Sequence, residues 1–400
     1  MWAVVGDGIL DVMKQSEDLK KASLVLHRKL KGKIEIKNRA PVKHIKDLTL
    51  LYSPGVAEAS RAIATDKKEV YTLTRKHNMV AVVSDGSAVL GLGNIGPEAA
   101  LPVMEGKAML FKAFADIDAI PIVLGTQDTE EIIQTVKAIA PTFGGINLED
   151  ISAPRCFEIE KRLKAELDIP VVHDDQHGTA IVVLAALMNA LRLAKKDIGR
   201  ISVTINGAGA AAQAIFHLLV KAGVMPTHIR VLDSKGVISR KRTDLDLCKK
   251  IIADMTKQTM LGGLAEAVVG TDVFIGVSVA NVLTTQMVQS MNEKPIVFAM
   301  ANPDPEISLV EAKKAGVFVF GTGRSDYPNQ INNVLAFPGL FRAALDTRVP
   351  GITDEMKLAA AHAIAELVSK KELKNDYILP KPLDKRVVPA IVKVIKKVVK

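Results

Sequence analysis

The sequence predicts an α/β protein of two domains: an N-terminal α/β domain followed by a Rossmann-type, doubly wound parallel sheet. Three observations predict it. Stretches apolar throughout, at 169–173, 201–205, 229–232, 272–277, 295–300 and 317–320, alternate with helical segments, as strands buried on both faces of a parallel sheet do. A glycine-rich loop, Gly207-Ala-Gly-Ala-Ala-Ala212, follows the second of these strands and opens a helix. The length, 400 residues with 48% apolar and 24% charged, suits two domains and excludes a disordered or collagen-like chain.

Residues 1–13 fit no later pattern and read as a loose extension. A helix runs from about Glu17 to a stop at Gly32, and Lys33–Lys37 reads as a short strand. Tyr52-Ser-Pro-Gly forms a turn that opens a helix. The strand Met79–Ser84, the helix Glu98–Ala115, the strand Ile120–Leu124 and the helix Glu130–Ala140 follow. A boundary near 160 divides a first domain, 14–160, from a second, 161–400. The tail from Val387 places Val388, Ile391, Val392, Ile395 and Val399 on one side and lysines on the other. It is expected to dock on its own protein, with Pro389 near the helix start.

No run of about 18 uninterrupted apolar residues occurs; the longest candidate, Thr179–Ala194, is broken by Asn189 and Arg192. No membrane partner is expected. The N-terminus lacks a basic leader and carries Asp7, and two cysteines are too few for a disulfide framework, so a reducing, cytoplasmic setting is expected. The net charge of +9 is uneven. Residues 20–46 carry +9 and residues 381–400 carry +6, leaving −6 for the rest. Two basic ends with almost no interleaved aromatics do not make a nucleic-acid groove, and no nucleic-acid partner is expected.

The pattern G-x-G-x-x-G/A occurs twice, at Gly91-Leu-Gly-Asn-Ile-Gly96 and at Gly207–Ala212. A dinucleotide needs a strand ending at the first glycine and a helix beginning at the loop, which aims free N–H groups and the helix dipole at the pyrophosphate. Only the second loop has both. Asp233 closes the next strand, 21 residues after Ala212, where a carboxylate accepts the ribose hydroxyls. The loop residues Gly207, Ala208, Gly209, Ala210, Ala211 and Ala212 and Asp233 are the expected cofactor-binding set, to which Ser278 is added. Asp233 favours NAD, yet Lys235, Arg240, Lys241 and Arg242 follow closely enough to neutralise the 2′-phosphate of NADP. NAD is expected as the better cofactor, with NADP also used. The first glycine loop is read as a turn, structural or substrate-facing.

Glu149-Asp150 and Asp174-Asp175 each follow an apolar strand segment. Two converging pairs of acids need a cation, and oxygen donors without thiolates suit Mg²⁺ or Mn²⁺; the alternative is that they only cap the following helices. His173 and His177 leave a strand and enter a helix, so second-tier or packing roles suit them better than zinc ligation. Lys107 has Val103, Met104, Leu110 and Phe111 at helical spacing. Such a lysine snorkels or lines a cleft, and burial would lower its pKa into the range of a general base. Tyr52 is a further candidate in a polar turn.

Together, Tyr52-Ser-Pro-Gly-Val-Ala, Ser84-Asp-Gly-Ser, Gly91-Leu-Gly-Asn-Ile-Gly, Met104-Glu-Gly-Lys, Ile146-Asn-Leu-Glu-Asp-Ile, His173-Asp-Asp-Gln-His-Gly-Thr and Asn332-Asn-Val-Leu-Ala-Phe-Pro-Gly resemble malic enzyme, in its short prokaryotic form, over about residues 17–395. The resemblance implies oxidative decarboxylation of (S)-malate to pyruvate and CO₂ with NAD or NADP and a divalent cation. It implies an N-terminal domain for substrate and dimerisation, and at least a homodimer is expected because the basic N-terminal segment has little core of its own. It makes Lys107 the general base, Tyr52 the general acid, and Glu149, Asp150 and Asp175 metal ligands with Asp174 adjoining them. It also makes Asn302 and Asn333 substrate-binding. One departure stands out: an arginine that holds the substrate carboxylate in larger relatives is Ala88 here. Two rival readings are a metal-independent amino-acid or hydroxy-acid dehydrogenase and a non-catalytic dinucleotide sensor.

Overall fold

The computed structural model describes residues 19–399; the extension expected at 1–13 lies outside them. The strands β1 (Met79–Ser84), β2 (Asp118–Val123), β3 (Gly145–Leu148) and β4 (Val171–His173) form a parallel sheet in the order β2-β1-β3-β4. The strands β5 (Val203–Asn206), β6 (Ile229–Asp233), β7 (Gly236–Val237), β8 (Val273–Gly276), β9 (Ile296–Ala299) and β10 (Val319–Thr322) form a second sheet in the order β10-β9-β8-β5-β6-β7. It is parallel apart from β7, a short antiparallel edge. Order reverses between β5 and β8, so a ligand crevice opens between their carboxyl ends.

The helices used below are α1 (Leu19–Leu30), α2 (Ile45–Leu51), α3 (Val56–Thr65), α4 (Pro97–Ala115), α5 (Thr129–Ile139), α6 (Arg155–Glu166), α7 (Asp174–Ala194), α8 (Ala210–Lys221), α9 (Leu247–Thr256), α10 (Phe337–Thr347), α11 (Asp354–Glu366) and α12 (Val387–Val398). One apolar cluster runs through α4, α7, α8, α10, α11, α12 and both sheets. Phe111 of α4 meets Phe337 and Phe341 of α10 edge-on, with centroids 4.8 and 5.3 Å apart. The late helices thus pack on the first sheet's cover. Helix α7 has the length and apolarity of a membrane span, but 72% of its most apolar window is buried inside the protein. It is a core helix.

Three expectations change. The strand at 169–173 does not begin the second sheet: β4 pairs with β3, and the expected boundary at 160 falls inside α6. The sheets divide at α7, because β4 completes the apolar edge that Ile146 and Leu148 present. Lys33–Lys37 forms no strand. It runs along α4, with Lys33 donating its backbone N–H to Glu105 and its ammonium to the Pro102 carbonyl, and no described strand lies alongside for Ile34 and Ile36 to pair with; Ile36 is 93% exposed. The tail docks on its own protein as α12, but its buried stripe is Val387, Ile391 and Ile395, and Val399 is exposed.

Candidate active site

Register builds the site. Val83 pairs with Leu148 and Leu148 with His173, so β1, β3 and β4 end level. Asp85, Glu149-Asp150 and Asp174-Asp175 therefore leave the sheet at one edge. Asp150 turns the chain with φ +54°, a left-handed conformation that aspartate tolerates. Asp174 and Asp175 occupy the first turn of α7, where the helix dipole favours negative charge. The Asp150 N–H donates to Asp175 Oδ2 at 2.9 Å, tying the two acidic turns together.

Lys107 reaches this edge from α4. Its Nζ lies 2.6 Å from Asp174 Oδ2 and 2.8 Å from Glu149 Oε1, over the Phe337 ring at 4.2 Å from the centroid. All three charged side chains are buried. Burial alone would depress the lysine, but Asp174, Glu149 and Asp175 outweigh it and hold its pKa above the ordinary range. The expectation of a lysine lowered by burial is thus reversed in this carboxylate-rich setting. Burial, with Asp175, Asp174 and Asp150 adding repulsion, pushes Glu149 well above the usual carboxylate range against the pull of Lys107. Burial likewise raises Asp174, whose Oδ1 has no hydrogen-bond partner.

Glu149, Asp150 and Asp175 bring one oxygen each to within 4.8 Å of the others. Three carboxylates without thiolate or imidazole fit a hard divalent cation. Among the described residues neither histidine joins them. His177 Nε2 bonds Glu160 at 2.9 Å, and His173 Nδ1 stands 3.8 Å from Asp175 Oδ2.

The second sheet faces this edge with its own level strand ends, since Asn206 pairs with both Leu232 and Gly276, and Gly276 with Ala299. Gly207–Ala212 leads into α8, and Asn206 Nδ2 donates to Ser278 Oγ at 2.7 Å, joining the loops after β5 and β8. Asp233 ends β6. Arg242 folds back to grip its carboxylate at 2.7 and 3.0 Å, and Lys249 stands 3.1 Å away. Burial opposes ionisation of Asp233, but these cations and the Lys235 N–H hold it below the usual range.

Each substrate candidate lies against a glycine. A methyl group on Gly91 would collide with the Asn302 carbonyl oxygen, and one on Gly178 would collide with Asp174 Oδ1 and sit 3.0 Å from Asn333 Cβ. The first glycine loop is thus the surface against which the Asn302 turn closes.

Residues 31–164 match the family described as malic enzyme, N-terminal domain, and residues 176–400 match malic enzyme, NAD binding domain. The chain belongs to the malic enzyme family. It is 58% identical over 381 residues to the bifunctional malic/malolactic enzyme of Bacillus subtilis, covering 95% of this chain and 92% of that one. It is 57% identical to the NAD-dependent malic enzyme of Geobacillus stearothermophilus, covering 90% and 75%. The NAD-dependent malic enzyme of Thermotoga maritima superposes with a TM-score of 0.89 at 48% identity, covering 94% and 98%. Relatives of both cofactor types occur, including an NADP-dependent malic enzyme of Halomonas elongata at 46% identity, covering 93% and 91%. With the family shown, its two-domain α/β fold and its use of malate, NAD(P) and a divalent cation frame the site.

The structure does not bring Tyr52 to Lys107. Tyr52 lies between α2 and α3, 71% exposed, and its hydroxyl makes no hydrogen bond among the described residues. Two residues of this malic enzyme site escape motif reasoning. Glu306 is fully buried and accepts the backbone N–H groups of Ser278 and Ala301, each at 3.0 Å, so it holds the loops after β8 and β9 together. Arg155 Nη2 donates to buried Asp85 at 2.9 Å and to Ser152 at 3.1 Å, and Nη1 donates to the Gln127 carbonyl. It ties the loops after β1, β2 and β3. An acid four residues beyond Asn302 or an arginine opening α6 has no distinguishing spacing.

Proposed function

We propose that the chain oxidatively decarboxylates (S)-malate to pyruvate and CO₂ with reduction of NAD or NADP, and that Lys107 is its general base. The observation that carries this is a buried lysine, Lys107, enclosed by Asp174 and Glu149 beside a three-carboxylate cluster that a divalent cation fits.

Glu149, Asp150 and Asp175 would hold the cation, which when bound supplies Lewis-acid polarisation of the substrate's C2 oxygen. The loop Gly207–Ala212, Asp233 and Ser278 would hold the dinucleotide, which supplies the hydride acceptor. Lys107 must be neutral to take the C2 hydroxyl proton. Asp174, 2.6 Å away, accepts a hydrogen bond from its ammonium. Asn302 and Asn333 would orient the substrate carboxylates as the Gly91 loop closes on the Asn302 turn, excluding water.

Tyr52 would protonate C3, and it acts from a second copy of the chain. Helices α2 and α3 bury none of their own residues, and Ile45, Leu48, Leu50, Leu51 and Val56 are exposed around Tyr52. An apolar patch of this kind is covered in a working protein, and a homodimer that covers it carries Tyr52 into a neighbouring site. Mixing Tyr52→Phe and Lys107→Ala chains tests this: activity regained in the mixture supports a shared site, and none regained under exchange contradicts it. Pyruvate formation from malate with Mn²⁺, under each cofactor, tests the function itself. A folded, dinucleotide-binding protein without malate turnover would favour a sensor.

A further inference from the structure

A cavity of about 340 Å³ lies between α7, α8, α9 and α11, behind the helix that presents the dinucleotide loop. It is separate from the site above. Its α7 residues, Gln176, His177 and Ala180, begin two positions after Asp174, roughly 200° around the helix, whereas Asp174 and Gly178 face Lys107 and Asn333.

The lining has two characters. Phe157, Leu218 and Ile251 give an apolar wall. The rest of the lining includes the polar Gln176, His177, Gln213, Asp354 and Lys357. The Gln176 side-chain nitrogen is buried without a hydrogen-bond partner, in a residue 5% exposed. Lys357, 8% exposed, has one carboxylate contact, Asp354 at 3.1 Å, and Asp354 is shared with Lys221 at 3.9 Å. Glu160 is committed to Lys164 and His177. Burial and the Lys164 charge hold Lys357 below the ordinary lysine range against the pull of Asp354 and Glu160.

We propose that this cavity binds a small organic acid, its carboxylate on Lys357 and Gln176 and its hydrocarbon part on the Phe157–Ile251 wall. The size is that of a small-molecule site, and a charge-assisted bond to a buried ammonium is the strong kind. Gln213, also in the lining, donates to the Ala208 carbonyl at 3.2 Å, so the ligand sits one side chain from the dinucleotide loop.

Cys248 supplies the readout. It lines the cavity and is partly accessible, whereas Cys156 is buried. Alkylation of Cys248 is followed by peptide mass spectrometry on the full chain with isovalerate, its neutral amide isovaleramide, or inorganic phosphate. Isovalerate should slow alkylation saturably and isovaleramide should not. Lys357→Gln should weaken the protection by about tenfold or more, the worth of a hydrogen bond to a charged group, while malate turnover without isovalerate persists. If Lys357→Gln does not fold, Ile251→Glu at the exposed rim should remove protection by like-charge repulsion. Absent protection by isovalerate, equal protection by the amide, or protection by phosphate alone would overturn the proposal.

Discussion

Lys107 Nζ stands 2.6 Å from Asp174 Oδ2, an ion pair with both partners buried and one carboxylate oxygen left unpartnered. Lys107→Ala should leave dinucleotide affinity nearly intact and reduce kcat by about 10²–10⁴-fold, the loss typical of a general base. It also strands Asp174 and Glu149 as buried charges, which costs about 3–5 kcal/mol when a pair is broken from one side. Thermal unfolding should show that loss, and Mn²⁺ should partly restore it. Near-normal turnover in folded protein would remove Lys107 from the mechanism.

Gly178→Ala tests the contact between α7 and the Asn333 turn. The new methyl group would displace Asp174 Oδ1 and press on Asn333 Cβ at 3.0 Å. A misplacement of about 1 Å costs on the order of 10²-fold in rate. Steady-state kinetics should show kcat/KM for malate falling by that order while dinucleotide binding is retained. Unchanged malate kinetics would mean that this packing does not position substrate.

Cofactor choice turns on Asp233. Arg242 and Lys249 already neutralise it, so a 2′-phosphate arriving there would meet two cations and one carboxylate. NAD should remain the better substrate, because Asp233 is fixed at the end of β6 and accepts ribose hydroxyls. Asp233→Ser should release both cations and raise kcat/KM for NADP relative to NAD at least tenfold, about 1.4 kcal/mol. Arg242→Ala should lower the same ratio. A wild type strongly preferring NADP, or ratios that do not move, would refute this.

Acid stability should carry a signature of His177. Burial, opposed by Glu160, lowers its pKa from 6.5 to about 4. Below about pH 6.5 the unfolded chain takes up a proton that the folded chain refuses until about pH 4. Stability therefore falls across that window, by about 3 kcal/mol at 1.36 kcal/mol per unit. His177→Gln keeps a donor for Glu160 without the titration, so its denaturation midpoints should be flatter between pH 6.5 and 4. Identical slopes would contradict this.

Local signals made much of the fold legible. Apolar strands, the loop before α8 and the acids after β3 and β4 announce themselves through short-range patterns. What stayed hidden depends on pairing at a distance. Nothing near residues 169–173 says that the partner is Leu148 rather than a later strand. The alternation at Lys33–Lys37 looks like a strand, but pairing needs an edge, and no described strand offers it one. Lys107 shows four apolar neighbours along its helix, while the carboxylates that govern its charge come from two other strands. Arg242 was visible as a cation near Asp233, but Lys249, which reaches the same carboxylate from α9, was not. Tyr52 carries a family motif, yet it is exposed within its own chain, and the shared site proposed above needs a second chain.

The central claim is that Glu149, Asp150 and Asp175 form a cation site on which malate turnover depends, with Lys107 beside it. The direct measurement is Mn²⁺ binding by calorimetry together with malate-dependent pyruvate formation, on wild type and on Asp175→Ala. Wild type should bind Mn²⁺, lose turnover on chelation and recover it on Mn²⁺ addition. Asp175→Ala should stay folded, bind dinucleotide, and show neither Mn²⁺ affinity nor turnover. Full activity in chelated wild type, or Asp175→Ala binding Mn²⁺ as wild type does, would contradict the account.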